Sequence, residues 1–383
     1  MRHDNSVFHQ VLQHVPWAAF DRLVAEHKGD RGVRRLSCKS QLLALLFGQL
    51  VGATSLREIE AGLTSHAARL YHLGGRCVAR STLADANRSR PADLFGQLFA
   101  HMAMANRRTR RQMGDSVRIL DATSIRLSSL SGGWLEATNG RQAVKLHIGY
   151  DPNAQTPLTL DVTGERVNDI TPARARPIEP GATYVFDLGY YSCAWWADLS
   201  AHGCRFVSRL KTHTQLEISL ERPVPHGSTV VSERIGVWPQ PVARARRHRL
   251  VDPLREISVR ISSGKIIRLV TNDLDAPAQE IADLYKQRWQ IELFFKWIKQ
   301  HLKLRHFLGT SENAVRIQVY VALIAYLLLR SAQAVQTAVP QPLAFARLVR
   351  INLMHKRPIN TLNATPPPHK IDPRQMQLEL TQG

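Results

Sequence analysis

Four cysteines in 383 residues are too few to staple a fold. Cys38, Cys77, Cys193 and Cys204 match neither a dense disulfide framework nor a paired zinc-knuckle spacing, so a reducing compartment, the cytoplasm, is the expectation. The sixteen histidines include no HExxH and no paired His-Cys spacing, which removes support for zinc catalysis. Long apolar runs are also missing. The runs at 42–51 and 319–329 fall short of the roughly 20 residues a membrane span needs, and are expected as buried core helices with no membrane partner. The first twenty residues, broken by Asp4, Gln10, Gln13 and His14, contain no secretory apolar stretch. Acidic charge is the scarcest resource: 31 Asp and Glu stand against 51 Lys and Arg, a net charge of +20. A surplus of that size calls for a polyanionic partner. Because 44% of the chain is hydrophobic, the basic charge belongs to a globular protein and not to a disordered tail.

The length predicts two or three domains, at about 150 residues each. Residues 1–110 read as a helical N-terminal domain with Ser40, Thr54 and Ser81 as N-caps. Within it, 54–63 and 81–90 are candidates for two helices of a DNA-reading unit, the second exposing Asn87, Arg88 and Arg90. The alternative is an ordinary solvated helix face. The run NRRTRR at 106–111 has the composition of a basic hinge. Period-two patterns then begin at 117–121, 143–151, 157–165, 183–189 and 204–211, with a helix at 192–203 ended by glycine. That order predicts an α/β fold with a ribonuclease H-like core, its first part at 111–211. A β-rich insertion is expected at 212–272, the second part of the core with a long helix at 273–335, and a partly disordered C-terminal extension at 336–383.

Residues 285–303, YKQRWQIELFFKWIKQHLK, carry the most chemistry. On a regular helix Tyr285, Arg288, Glu292 and Lys299 share an arc of about 60°, with Ile291, Phe294, Ile298 and Leu302 on a buried stripe. A solvated face with a Glu292–Lys296 ion pair is the plainer reading. Asp121 and Asp187 each end a short apolar strand, where a turn aspartate is common. Together with Glu292 they offer three carboxylates, enough for two Mg²⁺ ions that also keep water and phosphate oxygens.

With those residues in place the chain resembles the DDE transposases of bacterial insertion sequences, in the subgroup marked by Tyr-x2-Arg-x3-Glu-x6-Lys. Tyr285, Arg288, Glu292 and Lys299 match every spacing, and KLH at 145–147, Asp169, DLGYYS at 187–192, FVSRLK at 206–211 and LVTND at 269–273 are further matches. The resemblance covers about 115–330. It departs at Leu188, where relatives often have a cation, and at Asn168, where many have His. It implies that Asp121, Asp187 and Glu292 are catalytic and bind two Mg²⁺ or Mn²⁺ ions. It also implies that Tyr285, Arg288, Lys299, Arg209 and Lys211 contact DNA, that excision passes through a hairpin, and that a homodimer acts on double-stranded terminal repeats and target. Trp238 is the candidate platform for a flipped base, with a buried strand Trp as the alternative. The rival functions are an inactive repressor that occupies element ends and a ribonuclease H-like nuclease without strand transfer.

Overall fold

The structure is a computed structural model that describes residues 6–110, 116–127, 134–135, 142–239, 250–301 and 307–364. It is a mixed α/β protein with one large sheet and helices. The expected disorder of the tail at 365–383 falls outside the described residues.

The helical N-terminal region runs α1 (Val7–Leu12), α2 (Trp17–Glu26), α3 (Cys38–Val51), α4 (Leu56–Ser65), α5 (Ala67–Leu70), α6 (Arg80–Ser89) and α7 (Ala92–Arg110). Its caps differ from the expected ones. Ser37 and Ser55, in extended conformations, accept the N–H of Ser40 and Glu58, while α6 starts after Ala79 with no side-chain cap. A cap must stand outside the helix to reach back to it, and Ser40 and Ser81 are already inside. Thr54 contributes differently, donating both its N–H and its hydroxyl to Glu58 and closing a box around the first turn of α4. Mostly apolar, α3 is buried along Leu42 to Leu50.

The supposed hinge at 106–111 is mostly helix. Residues through Arg110 continue α7, Arg107 is 8% exposed, and residues 111–115 lie outside the described part. Instead of a phosphate, Arg107 meets Asp151 at 3.2 Å and Glu179 at 3.1 Å. Phe99 of α7 also meets Tyr320, their ring centroids 6.4 Å apart.

Among the described residues the sheet has nine strands in the order β3-β2-β1-β4-β5-β9-β8-β7-β6. β1 (Val117–Arg126), β2 (Ala143–Asp151) and β3 (Thr156–Gly164) form an antiparallel meander, and β4 (Thr183–Phe186) and β5 (Arg205–Arg209) run parallel to β1. Short α8 (Ile170–Ala175) precedes β4, and α9 (Cys193–Ala201) links it to β5, ending before Gly203 at φ +67°. The strands of 212–272 do not form a sheet of their own. β9 (Ile266–Thr271) pairs with β5, and β8 (Leu254–Arg260), β7 (Val230–Val237) and β6 (Glu217–Arg222) extend the same sheet to its edge.

The long helix expected from Pro277 onward is divided into α10 (Ala278–Gln287) and α11 (Trp289–His301). At the joint, Arg288 N–H donates to the Tyr285 carbonyl and Ile291 N–H to the Arg288 carbonyl, a three-residue step that changes the helical phase. The apolar run at 319–329 belongs to α12 (Glu312–Ala334), whose 23 residues are long and apolar enough to cross a membrane, although 83% of its most apolar window is buried inside the protein. The chain divides into two compact units. In the smaller, residues 1–14 and 329–383, Val7 and Phe8 donate their N–H groups to the carbonyls of His355 and Leu353, and Phe345 and Val349 of α13 (Pro342–Asn352) are buried.

Candidate active site

Parallel pairing of β1 with β4 sets Leu120 opposite Phe186, so the next residues, Asp121 and Asp187, are neighbours across the ladder. The Asp187 carboxylate accepts the Gly189 N–H at 2.8 Å, which turns the chain at the strand end. A Cβ at Gly189 would stand 2.8 Å from Asp169 Oδ2 and 3.0 Å from Asp187 Oδ1, so a larger residue there would displace these carboxylates. From the other side α11 packs against β1, burying Ile291, Phe294 and Ile298. Its opposite margin carries Glu292, Phe295, Lys296 and Lys299, which with Asp121, Thr123, Asp187 and Arg288 line an open cavity of about 410 Å³.

One guanidinium ties this cavity together. Arg288 Nη1 donates to Asp121 Oδ2 at 3.0 Å and Nη2 to Glu292 Oε1. A single planar fork therefore bounds the two carboxylate oxygens at about 8 Å apart. Lys299 donates to Thr123 Oγ1. Burial pushes the Asp121 carboxyl up to about 6, and the nearby Asp187 and Glu292 add to the rise, while the Ala122 N–H and Arg288 pull it down. Arg288 thus holds in place a carboxylate that burial and its neighbours disfavour as an anion.

The other residues singled out by sequence divide. Tyr285 is 9% exposed and lies beneath Arg288, whose Cζ is 5.9 Å from the ring centroid. The phase change at Arg288 turns it inward, so it supports the arginine and does not face the cavity. Half-buried Arg209 ends β5, and Lys211 is exposed with its ammonium 4.4 Å from the Tyr191 ring centroid. Trp238 is buried, the alternative reading of it given by the sequence. At 5% exposure it belongs to the core with Trp196, Leu210, Leu216 and Leu254. Arg90 is buried as well: it is 7% exposed and donates to Gln41 Oε1 at 2.8 Å and to the Leu36 carbonyl. Arg88 remains in solvent beside Asp85 at 3.7 Å, while Asn87 is buried and accepts from Gln41. Sequence reading did not place Thr123, Phe295 or Lys296 at the cavity, and it did not single out Trp289. Thr123 follows Asp121 by the two residues that return to the same strand face, which was a usable signal. Trp289 gave none, because only the structure shows it 60% exposed at the start of α11.

Among the described residues no three His, Cys, Asp or Glu side chains are gathered as a formed metal site. The donor chemistry nonetheless suits a hard divalent cation, since the cavity offers three carboxylates and a hydroxyl and no sulfur or imidazole.

Comparison with known proteins identifies the family. The family model described as a transposase DDE domain matches residues 112–328, and one described only as a domain of unknown function matches 3–76. The chain is 40% identical over 290 residues to a protein of Sinorhizobium fredii named as transposase y4zB, covering 74% of this chain and 80% of that one. It is 32% identical over 259 residues to a protein of Geobacillus stearothermophilus named as the transposase of insertion sequence element IS5377, covering 65% and 66%. A piggyBac transposase synaptic complex with hairpin DNA aligns at a TM-score of 0.42 with 10% identity, over 98% of this chain and 83% of that one. The matched segment spans both aspartate strands and the glutamate helix, and the chain belongs to the DDE transposase family as an insertion-sequence transposase with DNA cleavage and strand-transfer activity.

Proposed function

We propose that Asp121, Asp187 and Glu292 are the catalytic carboxylates of this transposase, on a ribonuclease H-like core within the subgroup marked by Tyr285, Arg288, Glu292 and Lys299. The observation that carries this is the single guanidinium that bridges Asp121 and Glu292 in a cavity also lined by Asp187. Enzymes of this family generally use divalent metal ions. The three carboxylates would hold two of them, Mg²⁺ or Mn²⁺, which when bound supply activation of a water or 3′-hydroxyl and neutralise the departing oxygen.

The chain's own residues do the rest. Arg288, carried on the buried Tyr285, holds the carboxylates together and offers its remaining donors to a phosphate. Lys296 and Lys299 line the same cavity and would grip the scissile strand, while Arg209 and Lys211 add cations at the end of β5. Exposed Trp289, next in sequence to Arg288, replaces Trp238 as the aromatic available to stack on an unpaired base during hairpin formation. The partners are double-stranded terminal repeats and target DNA, bound by a homodimer in the cytoplasm. Residues 1–110 would serve as a DNA-binding or accessory region, with 212–272 inserted between the halves of the core.

The test is Mg²⁺-dependent nicking and strand transfer on a labelled terminal-repeat duplex, with end binding followed in parallel. Glu292→Gln keeps size and helix preference but removes a charge, so it should bind ends normally and lose at least about a hundredfold in cleavage. Lys299→Ala should lose less, with a defect that is largest at low salt and shrinks at high salt, where the wild-type contact is itself screened. Wild-type cleavage by Glu292→Gln rejects the assignment. A wild type that binds without cutting is a repressor, and one that cuts without joining is a nuclease.

A further inference from the structure

The segment between α2 and α3, residues 27–36, is HKGDRGVRRL, and its cations have no role in the cavity described above. Lys28, Arg31, Arg34 and Arg35 are all exposed, and none forms an ion pair with an acid among the described residues. The one acid in the segment, Asp30, is exposed but already engaged by groups outside the loop. Asp30 Oδ1 accepts the Cys38 N–H at 2.7 Å at the start of α3 and lies 3.8 Å from buried Arg90. Arg90 also binds the Leu36 carbonyl, so it anchors the far end of the loop while it neutralises Asp30.

The near end is anchored by packing. Gly29 is buried where a Cβ would meet Cys38 Sγ at 2.8 Å and Leu94 Cδ1 at 3.1 Å. Between the anchors, bonds from Arg31 N–H to the Lys28 carbonyl and from Val33 N–H to the Asp30 carbonyl fold the loop tightly. Four long cations are thus held outward on about eight residues of ordered backbone, with their internal counter-charge consumed. The only other acid close in sequence is Glu26, at the end of α2. A repeating polyanion with regularly spaced phosphates is the ligand that such a surface fits.

We propose that this loop is a phosphate-backbone contact for duplex DNA, made by Lys28, Arg31, Arg34 and Arg35. The proposal rests on the DNA transposase reading and gives a role to the region matched only by a domain of unknown function. It places DNA contact on the loop and makes Arg90 the residue that holds the loop in shape.

Arg34→Gln/Arg35→Gln and, as a control of equal charge change, Arg260→Gln/Lys265→Gln on the exposed turn between β8 and β9 distinguish it from general attraction. Binding of the full-length proteins to a mixed-sequence 30-base-pair duplex is measured by fluorescence anisotropy over a potassium chloride series. For the loop variant the slope of log affinity against log salt should become shallower by about 2, with roughly tenfold weaker binding near physiological salt. The control should stay within about twofold of wild type. Wild-type binding by the loop variant, or an equal loss in the control, overturns the proposal. Mg²⁺-dependent nicking by wild type, measured alongside, separates the two readings: a wild type that never nicks speaks against the enzyme, whatever the salt slopes show.

Discussion

Arg88 and Arg90 are two residues apart on or beside one helix and have opposite fates. The first is 71% exposed at its side chain; the second is buried and bound to Gln41, Leu36 and Asp30. Arg90→Ala should cost about 2–4 kcal/mol in urea unfolding, because it strands buried acceptors, and Arg90→Lys should recover little since a point charge cannot reproduce the fork. Arg88→Ala should stay within about 0.5 kcal/mol of wild type. The two tryptophans make the same contrast. Trp238→Ala should cost about 3–5 kcal/mol by opening a cavity, whereas Trp289→Ala should leave the melting curve unchanged and impair the steps after first nicking. A stable Trp238→Ala protein would contradict the burial that removes it from DNA contact.

At the scale of elements, Glu179 joins three pieces of structure. It accepts from Arg107 of α7 and from Arg118 and Ser116 at the start of β1, while it lies just ahead of β4. Burial works against its charged form, but the hydrogen bonds and charge of Arg118 outweigh it and hold the carboxyl below the ordinary glutamate range. That depression contributes stability present in full above the unfolded glutamate's range and lost as pH falls through the folded value. Glu179→Gln should therefore lower stability at neutral pH and flatten the acid side of the stability profile; an unchanged acid slope would discount the clamp. Another element-scale test lies at the sheet edge. A Cβ at Gly236 would stand 2.5 Å from the Glu217 carbonyl oxygen, a backbone atom that cannot step aside. Gly236→Ala should detach β6 alone, raising amide exchange at 217–222 with little change in the core strands.

For the whole molecule, the N-terminal helices are not a detachable reader. Phe99 and Gly96 of α7 pack against Tyr320 of α12, and Asn313 Nδ2 donates to the carbonyls of Asn87 and Arg90. Removing residues 1–110 would uncover those surfaces and take Arg107 from Asp151, which is 3% exposed and would keep Arg118 and the Ala154 N–H. The truncated chain should lose its cooperative melt and its near-ultraviolet dichroism, so truncation is a poor test of sequence reading and point variants in the 27–36 loop are the better one. A sharp native-like transition in the truncated protein would overturn this.

Several features were legible in the chain alone because they follow from local period and chemistry. The alternation at 143–151 yields β2 at those same residues, the apolar spacing of Ile291, Phe294 and Ile298 yields the buried stripe of α11, and the surplus of cations points to a polyanion. The four-residue signature led to the family because its spacings lie within one short segment. What sequence order could not decide was direction and pairing between distant segments. One three-residue step at Arg288 turned Tyr285 from the cavity to the interior, and the ladder between β5 and β9 merged the later strands into the first sheet. Whether an arginine meets a phosphate or an aspartate depends on which residues folding brings beside it. Arg90, Arg107 and Arg288 each found a carboxylate from a segment that local pattern could not place, because burying a guanidinium demands a partner wherever the tertiary fold supplies one.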